Sequence, residues 1–174
     1  MSVTLLQFVH PALEKSRVNR HLLNQAAALS AVRVNDLYER YPDFCIDVDE
    51  EQGLMEAHDR VVFQFPFYWY ASPSLLKEWF DLVLQYGWAY GKGGDALRGK
   101  VAKVAVSTGG SAESYSGEDD PDRTMDKLLL PMIKTVELCG MQWAEPFFVH
   151  GALHKTEEEM AGISKDYTRW LLED

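Results

Sequence analysis

The sequence predicts a three-layer α/β fold around a five-stranded parallel sheet. Three observations carry this expectation. Apolar runs of strand length recur along the 174 residues, as strands buried on both faces require. Stretches of helical period separate them, and strand–helix alternation is the signature of a parallel sheet clad by helices. Turn residues follow the strands instead of interrupting them: His10-Pro11, Pro66, and Ser107-Thr108-Gly109-Gly110.

The first strand is expected over about 3–9, where Leu5, Leu6 and Phe8 are apolar. A helix over about 17–30 follows, with Ser16 as N-cap and an apolar face of Leu22, Leu23, Ala26, Ala27 and Leu29. The second strand falls at about 32–37 (Val32, Val34, Leu37) and the next helix at about 50–57. The chain between, 36–49, reads as polar, aromatic and irregular. Strand three, about 60–65, contains Val61, Val62 and Phe63 and runs into Pro66. A helix over about 73–86 carries Leu75, Leu76, Trp79, Phe80, Leu82 and Val83, with Ser72 as N-cap and Pro73 at its first position. Strand four follows at about 101–107, a helix at about 124–140, strand five at about 144–150 and a last helix at about 156–172. All 174 residues read as one domain. Strands in this succession suggest the order 2-1-3-4-5, with a ligand site where the order reverses beside strand one.

Composition removes several function classes. The net charge of −10, from 17 basic and 27 acidic residues, opposes nucleic acid and anionic membrane surfaces. No basic segment with an apolar run opens the chain, and no run approaches the roughly 20 apolar residues of a membrane span. A cytoplasmic protein is expected. Cys45 and Cys139 lie far apart without redox or metal spacing and read as buried, reduced thiols. His10, His21, His58, His150 and His154 form no ligand pattern, so no metal site is expected. Gly-x-Gly-x-x-Gly is absent after strand one, which excludes a dinucleotide held in that mode.

Three strand ends carry chemistry. After strand one come His10-Pro11 and then Ser16-Arg17-Val18-Asn19. The free N–H groups of a capped helix start, with the positive end of its dipole, suit a phosphate, and Arg17 adds charge. His10 either hydrogen-bonds near that phosphate or orders the loop. After strand three come Pro66, Phe67, Tyr68, Trp69 and Tyr70. Pro66 has no N–H, which leaves the donors of 67–70 for a ligand, and the aromatics suit a flat conjugated one. After strand four come Ser107, Thr108, Gly109 and Gly110, and glycine there admits close backbone approach. A surplus of apolar residues on the 73–86 helix also fits a partner surface.

These segments resemble the flavodoxin-like NAD(P)H:quinone oxidoreductases. Residues 38–44 (Tyr-Glu-Arg-Tyr-Pro-Asp-Phe), Leu76-Lys77-Glu78-Trp79 and Gly87-Trp88-Ala89-Tyr90-Gly91 share the resemblance. It is strongest with the short bacterial branch that includes the ancillary proteins of glutathione-gated potassium efflux, and it covers nearly the whole chain. It implies a flavodoxin-like fold with FMN as cofactor, FAD being disfavoured because the C-terminal extension of larger members is missing. It also implies NAD(P)H as co-substrate and a quinone as acceptor, in a two-electron ping-pong cycle. The FMN-binding residues it implies are His10, Ser16 to Asn19, Pro66 to Tyr70 and Ser107 to Gly110. Tyr115 matches a tyrosine that assists charge relay in larger members. Their histidine six residues on is Pro121 here, so that pair is incomplete. A homodimer with the 36–49 region at its interface is implied. So is a potassium-efflux transporter as partner, which would bring the protein to the periphery of the inner membrane. An ancillary subunit in which the flavin is structural or sensory is the alternative. A one-electron flavodoxin shuttle fits less well, because its Thr/Ser-rich phosphate loop differs from residues 10–19.

Overall fold

The computed structural model describes residues 3–173. The strands are β1 (Thr4–Phe8), β2 (Val32–Asp36), β3 (Arg60–Pro66), β4 (Val101–Ser107), β5 (Gln142–Trp143) and β6 (Phe147–Val149). The helices are α1 (Arg17–Ala27), α2 (Leu37–Arg40), α3 (Val48–Glu56), α4 (Ser74–Val83), α5 (Met125–Leu128), α6 (Leu130–Leu138) and α7 (Glu157–Leu172). The sheet order is β2-β1-β3-β4-β5 with every pair parallel, the flavodoxin-like order expected from the sequence.

Alternation along the strands divides the core between two faces, as a period of two requires. Leu5, Val61, Phe63, Phe65, Val104 and Val106 pack with α3, α4 and α6. Leu6, Phe8, Val62 and Ala105 pack with α1 and α7. Trp79, Phe63 and Tyr167 are among the fully buried side chains, and each aromatic or aliphatic residue so buried contributes about 1.5–3 kcal/mol. Glu51 is fully buried on the first face. It accepts from Gln7 Nε2 (2.9 Å), Asn35 Nδ2 (3.0 Å), Tyr41 OH (2.9 Å) and Trp79 Nε1 (2.8 Å). On the second face buried cations meet the end of α7. Lys103 Nζ donates to the Trp170 and Glu173 carbonyls (2.9 and 2.6 Å), and Arg60 donates to Leu171 O (3.1 Å).

Several boundaries differ from expectation. The fifth strand is two short pieces: β5 pairs with Val101 and Ala102, and β6 with the other half of β4. Pro146 lies in the gap and has no N–H to continue a ladder. β2 stops at Asp36, whose carboxylate accepts from Glu39 N–H and starts α2, so 36–49 is not wholly irregular. α4 begins at Ser74: Pro73, with extended ψ of 153°, occupies the cap position, and Ser72 caps nothing. The helix expected at 124–140 is α5 and α6, because Pro131 cannot donate to the turn before it. Cys139 is buried, but Cys45 is exposed, contrary to expectation.

Candidate functional site

Strand register brings the three chemical loops together. Phe8 of β1 lies beside Gln64 of β3, and Pro66 of β3 beside Ser107 of β4. The loops therefore leave the sheet at one edge, around a cleft of about 540 Å3, a volume typical of small-molecule sites. Among its lining residues are His10, Ser16, Arg17, Val18, Asn19, Pro66, Phe67, Tyr68, Ser107, Thr108 and Gly109. Lys15, Ala152 and Leu153 also line it and were not foreseen. Trp69, Tyr70, Gly110 and Tyr115 stand outside. Tyr70 lines an apolar groove of about 610 Å3 between α4 and α6, and Phe67 borders both spaces.

At the α1 end, Ser16 caps the helix and accepts from Asn19 N–H at 3.2 Å, as expected. Among the described residues, the N–H groups of Arg17 and Val18 meet no acceptor. They point outward from a helix start, where the dipole favours an anion. The Arg17 guanidinium itself pairs with Glu157 at 3.2 Å on the rim. Asn19 is 2% exposed. Its amide bridges Ser16 Oγ (3.0 Å) and Ser107 Oγ (2.8 Å), while Oδ1 is buried without a donor. His10 Nδ1 accepts from Ala12 N–H at 3.1 Å. That bond orders the loop and leaves the proton of the neutral ring on Nε2. Burial holds the His10 imidazole below its ordinary pKa, opposed by Glu14.

The turn after β3 is held in a costly conformation. Trp69 and Tyr70 have positive φ (51° and 62°), a left-handed geometry that costs a side-chain-bearing residue roughly 1 kcal/mol or more. Reciprocal bonds between Tyr68 and Ala71 (2.9 and 3.0 Å) fix it, together with Phe67 N–H to Ser107 O (2.8 Å). Two of the four donors expected to be free are thus used. The N–H groups of Trp69 and Tyr70 meet no acceptor among the described residues. The Trp69 ring is 94% exposed, so it points away from the cleft.

The loop after β4 is tied to the end of β6. Thr108 Oγ1 donates to Gly110 O (2.8 Å) and lies 2.9 Å from His150 Nδ1. A Cβ on Gly110 would come within 3.1 Å of the Tyr115 ring, whereas one on Gly109 would meet free space. Tyr115 packs edge-on to Phe67 (centroids 6.0 Å) and stacks on His150 (5.3 Å). Burial and Tyr70 raise the Tyr115 phenol, opposed by Thr108 and Arg123. The family resemblance placed a histidine at position 121, which is Pro121 here; the imidazole that stacks on Tyr115 is His150, just after β6. The usable signal was its place at the carboxyl end of the last strand, where α/β sheets gather functional groups.

Residues 2–171 match the family model described as the flavodoxin-like fold. The chain is 41% identical over 167 residues to the glutathione-regulated potassium-efflux system ancillary protein KefG of Cronobacter sakazakii, covering 96% of this chain and 91% of that one. The solved structure of general stress protein 14 from Treponema denticola, in complex with FMN, superposes with a TM-score of 0.89 at 36% identity, covering 97% of both chains. An NADPH-quinone reductase from P. pentosaceus superposes with a TM-score of 0.89 at 26% identity, covering 99% of both. On its sheet order, its strand-end cleft and these matches, the chain belongs to the flavodoxin-like fold family.

Proposed function

We propose that this protein is an FMN-dependent NAD(P)H:quinone oxidoreductase. The observation that carries the reading is the set of unpaired polar groups on the cleft and on the turn that leaves it. Arg17, Val18 and Asn19, which carry two of the free N–H groups and the buried Oδ1, line the cleft, and the free Trp69 and Tyr70 N–H groups belong to the turn that follows its lining residue Tyr68. They match, in order, a phosphate, a polyol hydroxyl, and the carbonyl-bearing edge of a flat ring. The FMN complex of the Treponema relative supports the match. In this reading the start of α1 binds the phosphate, Asn19 accepts from a ribityl hydroxyl, and His10 offers Nε2–H to the same region. Pro66 to Tyr70 flank the ring near N5 and O4, and Ser107 to Gly110 flank its pyrimidine side. Tyr115 stands at the carbonyl edge, and donors there stabilise the negative charge of the reduced ring.

FMN, when bound, supplies two-electron redox chemistry, taking hydride from NAD(P)H and passing electrons to a quinone. The chain orients both partners. Phe67 joins the cleft to the apolar groove, so nicotinamide and quinone occupy one stacking place in turn, a ping-pong cycle. The quinone reductase from P. pentosaceus supports that acceptor class. A second copy of the chain covers the groove and the exposed Tyr70, making a homodimer.

The likeness to KefG favours one further reading, an ancillary subunit of a potassium-efflux transporter with the flavin structural or sensory. No helix among the described residues is long and apolar enough to cross a membrane, so a cytoplasmic protein would reach the inner membrane through that partner. Transport that still needs this protein after turnover is abolished supports this reading, and transport that follows turnover supports the first.

The test is reconstitution. Purified protein should take up FMN, bleach on anaerobic addition of NADPH and recover colour on addition of a quinone. Gly109→Val should fold normally, since its Cβ meets free space, and should lose FMN affinity by roughly tenfold or more. Failure of the wild type to bind FMN or FAD overturns the reading.

A further inference from the structure

His150, half-buried against the Thr108–Gly110 loop, is left without a task by the reading above. We propose that His150 is a positioning residue that clamps the Thr108–Gly110 loop and places a titratable charge behind it, so that the loop's hold on the flavin changes with pH. The proposal rests on the flavin reading for its consequence, but not for the clamp.

The proton count fixes the clamp. Gly110 O can only accept, so the Thr108 hydroxyl spends its single proton on that carbonyl, 2.8 Å away. The 2.9 Å contact between Thr108 Oγ1 and His150 Nδ1 must then be an Nδ1–H donation to the hydroxyl oxygen. His150 is therefore the Nδ1–H tautomer when neutral, and Nε2 is the nitrogen that titrates. Backbone bonds continue the same clamp. Thr108 N–H donates to Val149 O (3.0 Å), Gly151 N–H to Gly110 O (2.8 Å), and Ala152 N–H to Thr108 O (2.9 Å). The ring stacks with both Tyr115 (centroids 5.3 Å) and Phe148 (5.6 Å), which restrains its plane.

The ionisable groups that act on the ring are Glu113, Lys155 and the stacked Tyr115. Burial and Lys155 hold the imidazole below its ordinary 6.5, opposed by Glu113. At neutral pH the clamp is uncharged. Below that range Nε2 takes a proton from solvent while the Nδ1–H donation to Thr108 persists. A positive charge then stands behind the loop that faces the pyrimidine side, and it favours the reduced, more negative ring.

Two measurements decide the proposal. In flavin-free protein, nitrogen NMR of the His150 ring should show the Nδ1–H tautomer and protonation below pH 6.5; an Nε2–H tautomer overturns the clamp. In FMN-loaded protein, the two-electron midpoint potential is followed against pH for wild type, His150→Asn and His150→Phe. Asparagine can place an amide N–H near the Nδ1 position and does not titrate. It should keep near wild-type FMN affinity and lose the acid inflection in potential. Phenylalanine keeps the stack but not the donor, and it should weaken FMN binding by about tenfold. Superimposable curves for wild type and His150→Asn, or wild-type affinity in His150→Phe, overturn the proposal. Should His150→Phe not fold, the asparagine arm decides. Wild-type protein that takes up no flavin refutes the flavin reading, while the tautomer still decides the clamp.

Discussion

Glu51 shows how much one side chain can organise. Its carboxylate accepts from residues on β1, β2, α4 and the chain just after α2, and no water reaches it. Replacing it by leucine strands four donors in the core, each costing about 1–3 kcal/mol when unmet. Glu51→Leu should therefore lower stability by at least roughly 3 kcal/mol, read as a fall in the urea midpoint. Glu51→Gln keeps one acceptor oxygen and should fall between. A leucine variant with a wild-type midpoint would show that the donors find other partners. Nothing near position 51 announces this role, because its partners lie 10 to 44 residues away in sequence. The same distance hid His150. Ser16 was legible because an N-cap and its target are three residues apart.

At the scale of elements, α7 is defined at both ends by different means. Its start carries a reciprocal cap: Thr156 accepts from Glu159 N–H (3.2 Å), and the Glu159 carboxylate accepts from Thr156 N–H (2.7 Å). Its end meets Lys103 and Arg60, which rise from the sheet beneath and satisfy carbonyls that have no partner within the helix. Thr156→Ala should cost about 1 kcal/mol, seen as a lower denaturation midpoint with unchanged flavin affinity. An unchanged midpoint would assign the stability of this helix to its packing and its far end alone. The type of each longer element was readable, since hydrophobic period distinguishes strand from helix locally, whereas the single turn of α2 was missed. The breaks were not. Pro131 reads equally as a residue near a helix start or within one continuous pattern, and only the fold shows that the chain turns there. Ser72 and Pro73 marked the start of α4 to within a residue but misassigned its cap, because the cap position depends on a backbone angle that composition does not fix.

For the whole molecule, sheet order was legible because strands alternating with helices form a parallel sheet and the first four strands were individually clear. A partner surface was suggested in the sequence only by a surplus of apolar residues on α4. Most of that surplus on α4 is core: Leu75, Leu76, Trp79 and Val83 are buried, and Phe80 lines the groove. The surface open to a second copy lies beside α4, where Leu138 is 65% exposed at the groove edge. The homodimer proposed above requires that edge to be covered. Sedimentation should therefore show a dimer for wild type, and Leu138→Glu should shift it toward monomer with loss of quinone turnover. A wild-type monomer with full turnover at low concentration would exclude the dimer.

The divided fifth strand bears on how copies of this chain tolerate crowding. A sheet margin offers unpaired backbone groups that can recruit a foreign strand and seed cross-β stacking. Here that margin is a two-residue rung and a three-residue rung separated by Pro146. Neither rung is long enough to template a neighbour, and the proline forbids their fusion. The opposite margin, β2, carries the exposed cation Arg33, whose charge repels its own image in an approaching copy. The irregularity that broke the expected strand thus removes a route to polymerisation.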